Sequence, residues 1–153
     1  MNLLLPSLLI LAAAGQPASG QTSRAAAQDS GQADPAWLAQ CMKENGSTLG
    51  MAKCMVDHRS ALQEQQKALL TRIGGRLAGK GPEGTDYKAA AASLAEAQKH
   101  WEAFIGADCD IVGSVFGYGT AQGLAGEDCV INHYRARNEQ LRELEANYLT
   151  PAG

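Results

Sequence analysis

Residues 110–129 read DIVGSVFGYGTAQGLAGEDC, and the meaning of this stretch decides the fold. Five glycines fall between Gly113 and Gly126, with Cys109 immediately before the stretch and Cys129 closing it. A phosphate-binding loop follows a strand and opens a helix, so that backbone N–H groups converge on the anion. Here a helical pattern precedes the glycines, and neither a GxGxxG nor a GxxxxGK(S/T) match is present. The segment Gly113–Gly117, GSVFG, is not a GxSxG nucleophile elbow, because Ser114 sits one position early. The stretch therefore reads as an exposed glycine-rich loop over 110–128, pinned at its base by two cysteines. The glycines would serve its tight turns.

Working outward, helical periodicity fills the chain on both sides. Upstream, DYKAAAASLAEAQKHWEAFIGADC is capped by Thr85 and carries a stripe of Tyr87, Ala91, Leu94, Gln98, Trp101 and Ile105 or Phe104. Before it, GKGPEG (Gly79–Gly84) breaks a long helix over about Thr48–Leu77. Met55, Leu62, Leu69 and Ile73 line one face of that helix, with Leu70 and Leu77 nearby. A short helix opens at Asp34-Pro35, an N-cap and first-turn pair, and ends at Asn45-Gly46. Downstream, Val130, Tyr134, Arg137, Leu141, Leu144 and Tyr148 alternate at spacings of three and four from about Glu127 to Tyr148. No strand pattern competes. The expected fold is all-α: a small antiparallel helical bundle of three longer helices plus a short N-terminal helix, over residues 34–150.

The N-terminal segment stands apart. Leu3–Ala14 is an apolar run of signal-peptide length, too short to span a bilayer, and Ala18–Gly20 offers small residues before a cut at Gln21. Residues 1–20 read as a signal peptide and 21–33 as a flexible lead-in. All four cysteines, Cys41, Cys54, Cys109 and Cys129, lie in the exported part, which implies two disulfides. Cys41 and Cys54 are nearly equidistant from the turn at 45–48, and Cys109 and Cys129 end and start adjacent helices. Pairs 41–54 and 109–129 fit best, although all four lie at one end of the bundle and crossed pairings stay open. A staple closing a loop of about 20 residues contributes roughly 3 kcal/mol.

Composition narrows the function. The net charge is −3, charged residues make up 19%, and no Lys/Arg run is present, which disfavours nucleic acid as a partner. His58, His100 and His133 fall one per long helix, without an HExxH or HxH pair, and no CxxC occurs. They read as solvated helix-face residues, and no metal or cofactor site is indicated. No carboxylate pair stands out, so the chain does not read as an enzyme. Three positions carry structural expectations. Arg137 interrupts an apolar stripe and needs acceptors, which loop carbonyls, Asp108 or Asp110 would supply. Gln98 is expected to make a buried hydrogen bond, and Trp101 to be core.

Several spaced segments together resemble the lysozyme-inhibitor LprI-like N-terminal domain family, formerly a bacterial domain of unknown function. CMKENGSTLGMAKC (Cys41–Cys54) resembles its first cysteine pair, with Thr48 and Met51 before the second cysteine. AQKHWEAFIGADC (Ala97–Cys109) resembles its Ala-Gln…Trp…Cys segment, and FGYGT its glycine-rich stretch. CVINHYRARNEQL (Cys129–Leu141) resembles its closing Cys…Arg…Leu, placing Arg137 and Leu141 on the pattern. The family's second-helix motif is only partly kept: Leu62 fits, while Arg59, Gln63 and Gln66 replace other members' residues. The resemblance implies a secreted or periplasmic protein-binding module that inhibits lysozyme-type muramidases. The alternative is a structural or interaction module of the bacterial cell envelope with no enzyme target. Under the first reading, Ser114, Phe116, Tyr118 and Thr120 would present hydroxyls and aromatic surface from the 110–128 loop to a partner's cleft.

Overall fold

The computed structural model describes residues 35–149; the export segment 1–20 and the lead-in 21–33 lie outside the described residues. Four α-helices follow one another: α1 (Pro35–Glu44), α2 (Thr48–Leu77), α3 (Tyr87–Val115) and α4 (Thr120–Leu144). A short π-helical turn, Glu145–Leu149, continues α4. The all-α bundle expected from periodicity is what the chain forms, and among the described residues there is no strand.

Local chemistry sets the helix ends. Asn45 closes α1 with both its backbone N–H and its side-chain amide donating to the Cys41 carbonyl, at 3.1 and 2.9 Å. Ser47 then caps α2, its Oγ accepting from Gly50 N at 3.1 Å. The cap of α3 is Asp86 rather than Thr85: Asp86 Oδ1 accepts from Ala89 N at 2.9 Å. Thr85 Oγ1 instead donates back to the Pro82 carbonyl at 2.6 Å and tightens the preceding turn.

The 110–128 loop is replaced by helix. The third helix runs on past Cys109 to Val115 and α4 begins at Thr120, leaving a turn of only Phe116–Gly119. Gly117 (φ 73°) and Gly119 (φ 113°) occupy left-handed conformations that side chains resist, so these two make the turn. Gly113, Gly123 and Gly126 sit inside helices, each at a propensity cost of about 1 kcal/mol relative to alanine. Packing offsets that cost: Gly113 is buried, and Leu124 joins the core from the first turns of α4.

The fourth helix is the central element, packing along both α2 and α3, whereas α2 and α3 touch little despite their direct connection. Being third in an up-down-up order, α4 runs parallel to α2. Cross-helix bonds show the register: Arg59 pairs with Glu127, Gln63 Nε2 donates to Tyr134 Oη at 3.2 Å, and Arg76 Nη1 donates to the Leu149 carbonyl at 3.1 Å.

The interior divides into two apolar clusters. One gathers Cys41, Met55, Leu62 and Ile131, with Trp37, Leu38, Met51, Cys54, Leu124 and Tyr134 against it. The other gathers Leu69, Ile73, Leu77 and Leu141, with Tyr87, Leu94 and Leu144 among its neighbours. Between them lies a polar layer. Gln98 Nε2 donates to Gln66 Oε1 at 3.0 Å, and Asn138 Nδ2 donates to the Leu62 carbonyl at 2.9 Å; all three side chains are buried. On α4 the buried positions are Ile131, Asn138 and Leu141, while Tyr148 is exposed. Ile105, not Phe104, takes the buried place on α3.

Candidate functional site

Two disulfides define one end of the molecule. Cys41–Cys54 ties α1 to α2, with Cα atoms 6.0 Å apart, and Cys109–Cys129 ties α3 to α4 at 5.6 Å. Of the pairings left open by the sequence, this is the one observed. Because α2 and α4 are parallel with Arg59 level with Glu127, the start of α2 and the α3–α4 turn project from the same end. The second disulfide does not pin the base of a loop. It joins two helices that both continue beyond it, so the segment from 110 to 128 is a helical hairpin.

This hairpin exposes apolar side chains. Tyr118 at the turn is fully exposed, and Val115 and Ile111 are 79% and 63% exposed on the last turns of α3. Phe116 and, farther along α3, Phe104 are more than half exposed. Leu49, at the start of α2, is exposed at 82% and adds to the same end of the molecule. Ser114 and Thr120 flank the turn and are exposed as well. All four residues singled out at the sequence level, Ser114, Phe116, Tyr118 and Thr120, thus stand at or beside the hairpin tip. Ile111, Val115 and Leu49 were missed. Their signal is apolar residues off the buried stripe: 104, 111 and 115 recur at helical spacing on a face distinct from the one carrying Gln98 and Ile105.

Polar groups lie below the tip. His133 Nε2 and Asp108 Oδ2 are 2.7 Å apart across α3 and α4, and Phe104 meets the His133 ring edge-on at 5.5 Å between centroids. A shallow pocket beside this pair is lined by Val112, Ala125, Asp128, Cys129, Asn132 and His133. The expectation that the histidines are solvated holds only for His100. His133 is largely buried against Asp108, and His58 stacks on Trp37 with ring centroids 4.1 Å apart.

Arg137 is placed differently from expectation. It does not brace the hairpin and does not reach Asp108 or Asp110; Asp108 is engaged by His133. It joins the polar layer at mid-bundle instead, where its Nε donates to Gln98 Oε1 at 3.3 Å and its Nη1 to Gln140 at 3.4 Å. Burial pulls its pKa below the usual guanidinium value, although an arginine remains charged at any physiological pH. Gln98 makes the expected buried hydrogen bond. Trp101 is half-buried and meets Tyr134 edge-on at 5.0 Å, a packing role.

A four-helix, twice-stapled module that presents a partly apolar helical hairpin at one end has the form of a protein-binding domain. The family model "Lysozyme inhibitor LprI" matches residues 39–141, and the chain belongs to that family. The match spans both disulfides, the hairpin tip and the polar layer. A family of lysozyme inhibitors implies a protein partner. No curated protein matches the chain, and no solved structure does. Two disulfides fit an extracellular location, and among the described residues no helix is long and apolar enough to cross a membrane.

Proposed function

We propose that this chain is an exported, non-enzymatic protein-binding module that inhibits a lysozyme-type muramidase, and that the α3–α4 hairpin is its binding element. The observation that carries this reading is Tyr118, fully exposed at a two-glycine turn whose two helices are locked together by Cys109–Cys129. An exposed aromatic on a pre-ordered support loses little conformational entropy when it enters a cleft, which is how a small contact becomes a strong one. Phe116 extends the apolar surface, and Ser114 and Thr120 offer hydroxyls beside it. The net charge of −3 favours encounter with a basic enzyme. The apolar run Leu3–Ala14 and the oxidised cysteines support the export in this proposal.

The test is a panel of muramidases assayed with the purified, oxidised protein. Saturable inhibition of at least one enzyme, matched by direct binding, is the expected result. If every enzyme is unaffected at high micromolar protein, the inhibitor reading fails, and pull-down of an envelope protein would then point to the interaction-module alternative.

A further inference from the structure

A second chemistry lies beneath the tip. Cys109, Cys129 and His133 each place a ligand atom, the sulfurs and one ring nitrogen, within 4.8 Å of one another. Cys129 and His133 stand four residues apart on α4 and so share a face, while Cys109 arrives from α3. The imidazole has a fixed orientation, because Asp108 holds its Nε2 at 2.7 Å. A carboxylate behind a histidine is the usual outer support of a zinc ligand. The pocket lined by Val112, Ala125, Asp128, Cys129, Asn132 and His133 opens on the same sulfur and the same ring, giving an ion a way in and room for a water.

We propose that Cys109, Cys129 and His133 form a metal site for a zinc-class divalent ion when the Cys109–Cys129 disulfide is reduced. The disulfide and the metal are then alternative staples for the same pair of helices. A dithiol supplies two electrons and leaves as its own disulfide, and its two protons pass to the cysteine sulfurs. Zinc displaces those two protons as it binds both thiolates and the neutral imidazole, and a water from the pocket completes four-coordination. Two thiolates around one zinc sit roughly 3.8 Å apart, given Zn–S bonds of about 2.3 Å and tetrahedral angles. The Cα separation of 5.6 Å accommodates that spacing by side-chain rotation.

The other disulfide provides an internal control. His58 follows Cys54 at the same four-residue spacing as His133 follows Cys129. Its ring is stacked on Trp37, however, and among the described residues it does not join a cluster of this kind. Sequence spacing alone shows no zinc motif, because the ligands come from two helices and converge only in the folded hairpin.

The experiment uses the full chain carrying Cys41→Ser and Cys54→Ser, oxidised and phosphine-reduced, titrated with Co²⁺ and then Zn²⁺. The reduced form is expected to bind one equivalent of Co²⁺, with thiolate-to-cobalt charge-transfer absorption that Zn²⁺ abolishes. The oxidised form should show none. Adding His133→Ala should weaken Zn²⁺ at least tenfold. Zinc should also raise the melting temperature of the reduced wild-type chain followed by circular dichroism. A reduced protein without the charge-transfer band, a His133→Ala variant of unchanged affinity, or a reduced chain whose helix zinc does not stabilise overturns the proposal.

Discussion

Asn138 on α4, with no exposed surface, donates its side-chain amide to the backbone carbonyl of Leu62 on α2 at 2.9 Å. A carbonyl within a helix keeps a second lone pair after its helical bond, so the contact does not break α2. With Gln66, Gln98 and Arg137 it forms a polar layer between two apolar clusters. Such a layer favours one register of α4 against its neighbours, since sliding by one turn would break the Asn138–Leu62 and Arg137–Gln98 bonds in the interior. Asn138→Ala is predicted to destabilise the fold by about 0.5–1.5 kcal/mol, the net worth of one buried hydrogen bond whose acceptor keeps its helical partner. Urea denaturation of the oxidised protein would measure it.

The apolar clusters carry a separate prediction. Ile73 and Ile131 are fully buried, one in each cluster. Truncating either to alanine removes packed atoms and leaves a cavity, which costs about 2–5 kcal/mol. The two sites lie in different clusters and should add in the double variant. Strong coupling in that cycle would mean the two clusters act as one core.

Acid should loosen one end of the molecule. Glu145 in the π-helical turn accepts from Arg72 Nη2 and Nε at 3.0 and 3.2 Å and lies 3.4 Å from Arg76 Nε. Its carboxyl is held below the usual carboxylate range, chiefly by the hydrogen bond from Arg72, with the charges of Arg72 and Arg76 adding to it against the opposing effect of burial. A depressed folded-state pKa stabilises the fold above the unfolded value of about 4.3 and is lost as pH falls through the folded value. Melting temperature should therefore drop in that acidic window in wild type, and drop less in Glu145→Gln. Parallel pH profiles of the two proteins would contradict this assignment.

Removing the α3–α4 staple tests the hairpin. The Cys109→Ala/Cys129→Ala variant opens a 20-residue closure and should lose roughly 3 kcal/mol. Amide exchange should quicken most around residues 110–128. Unchanged protection there would mean that helix packing alone keeps the hairpin rigid.

How much of this the sequence discloses depends on what each residue must do. The second helix is legible to its ends because Met55, Leu62, Leu69 and Ile73 repeat at one period between Ser47 and the GKGPEG break. The cysteine pairing is favoured because the turn at 45–48 sets Cys41 and Cys54 at equal height. The hairpin is not legible: five glycines signal a loop by propensity, and only tertiary contacts at Gly113 and Leu124 reveal that three of them are helical. Arg137 misleads for a related reason. Its acceptor, Gln98, lies 39 residues away on α3, whereas Asp108 is nearer the loop the sequence implies. The candidate tip is legible in residue type at Phe116 and Tyr118. Ile111 and Val115 fall in the stretch that reads as loop and Leu49 lies off the apolar stripe of α2, so their exposed apolar surface emerges only once the packing is known.

The central claim is that the hairpin tip meets a muramidase, and Tyr118 is where it is most exposed to a test. The direct measurement compares inhibition of a sensitive muramidase by wild type and by Tyr118→Ala, with circular dichroism confirming equal fold. Truncating an exposed aromatic anchor is predicted to weaken inhibition at least tenfold, a loss of about 1.4 kcal/mol or more, while melting temperature stays unchanged. Equal inhibition by the two proteins would place the binding surface elsewhere and contradict the account.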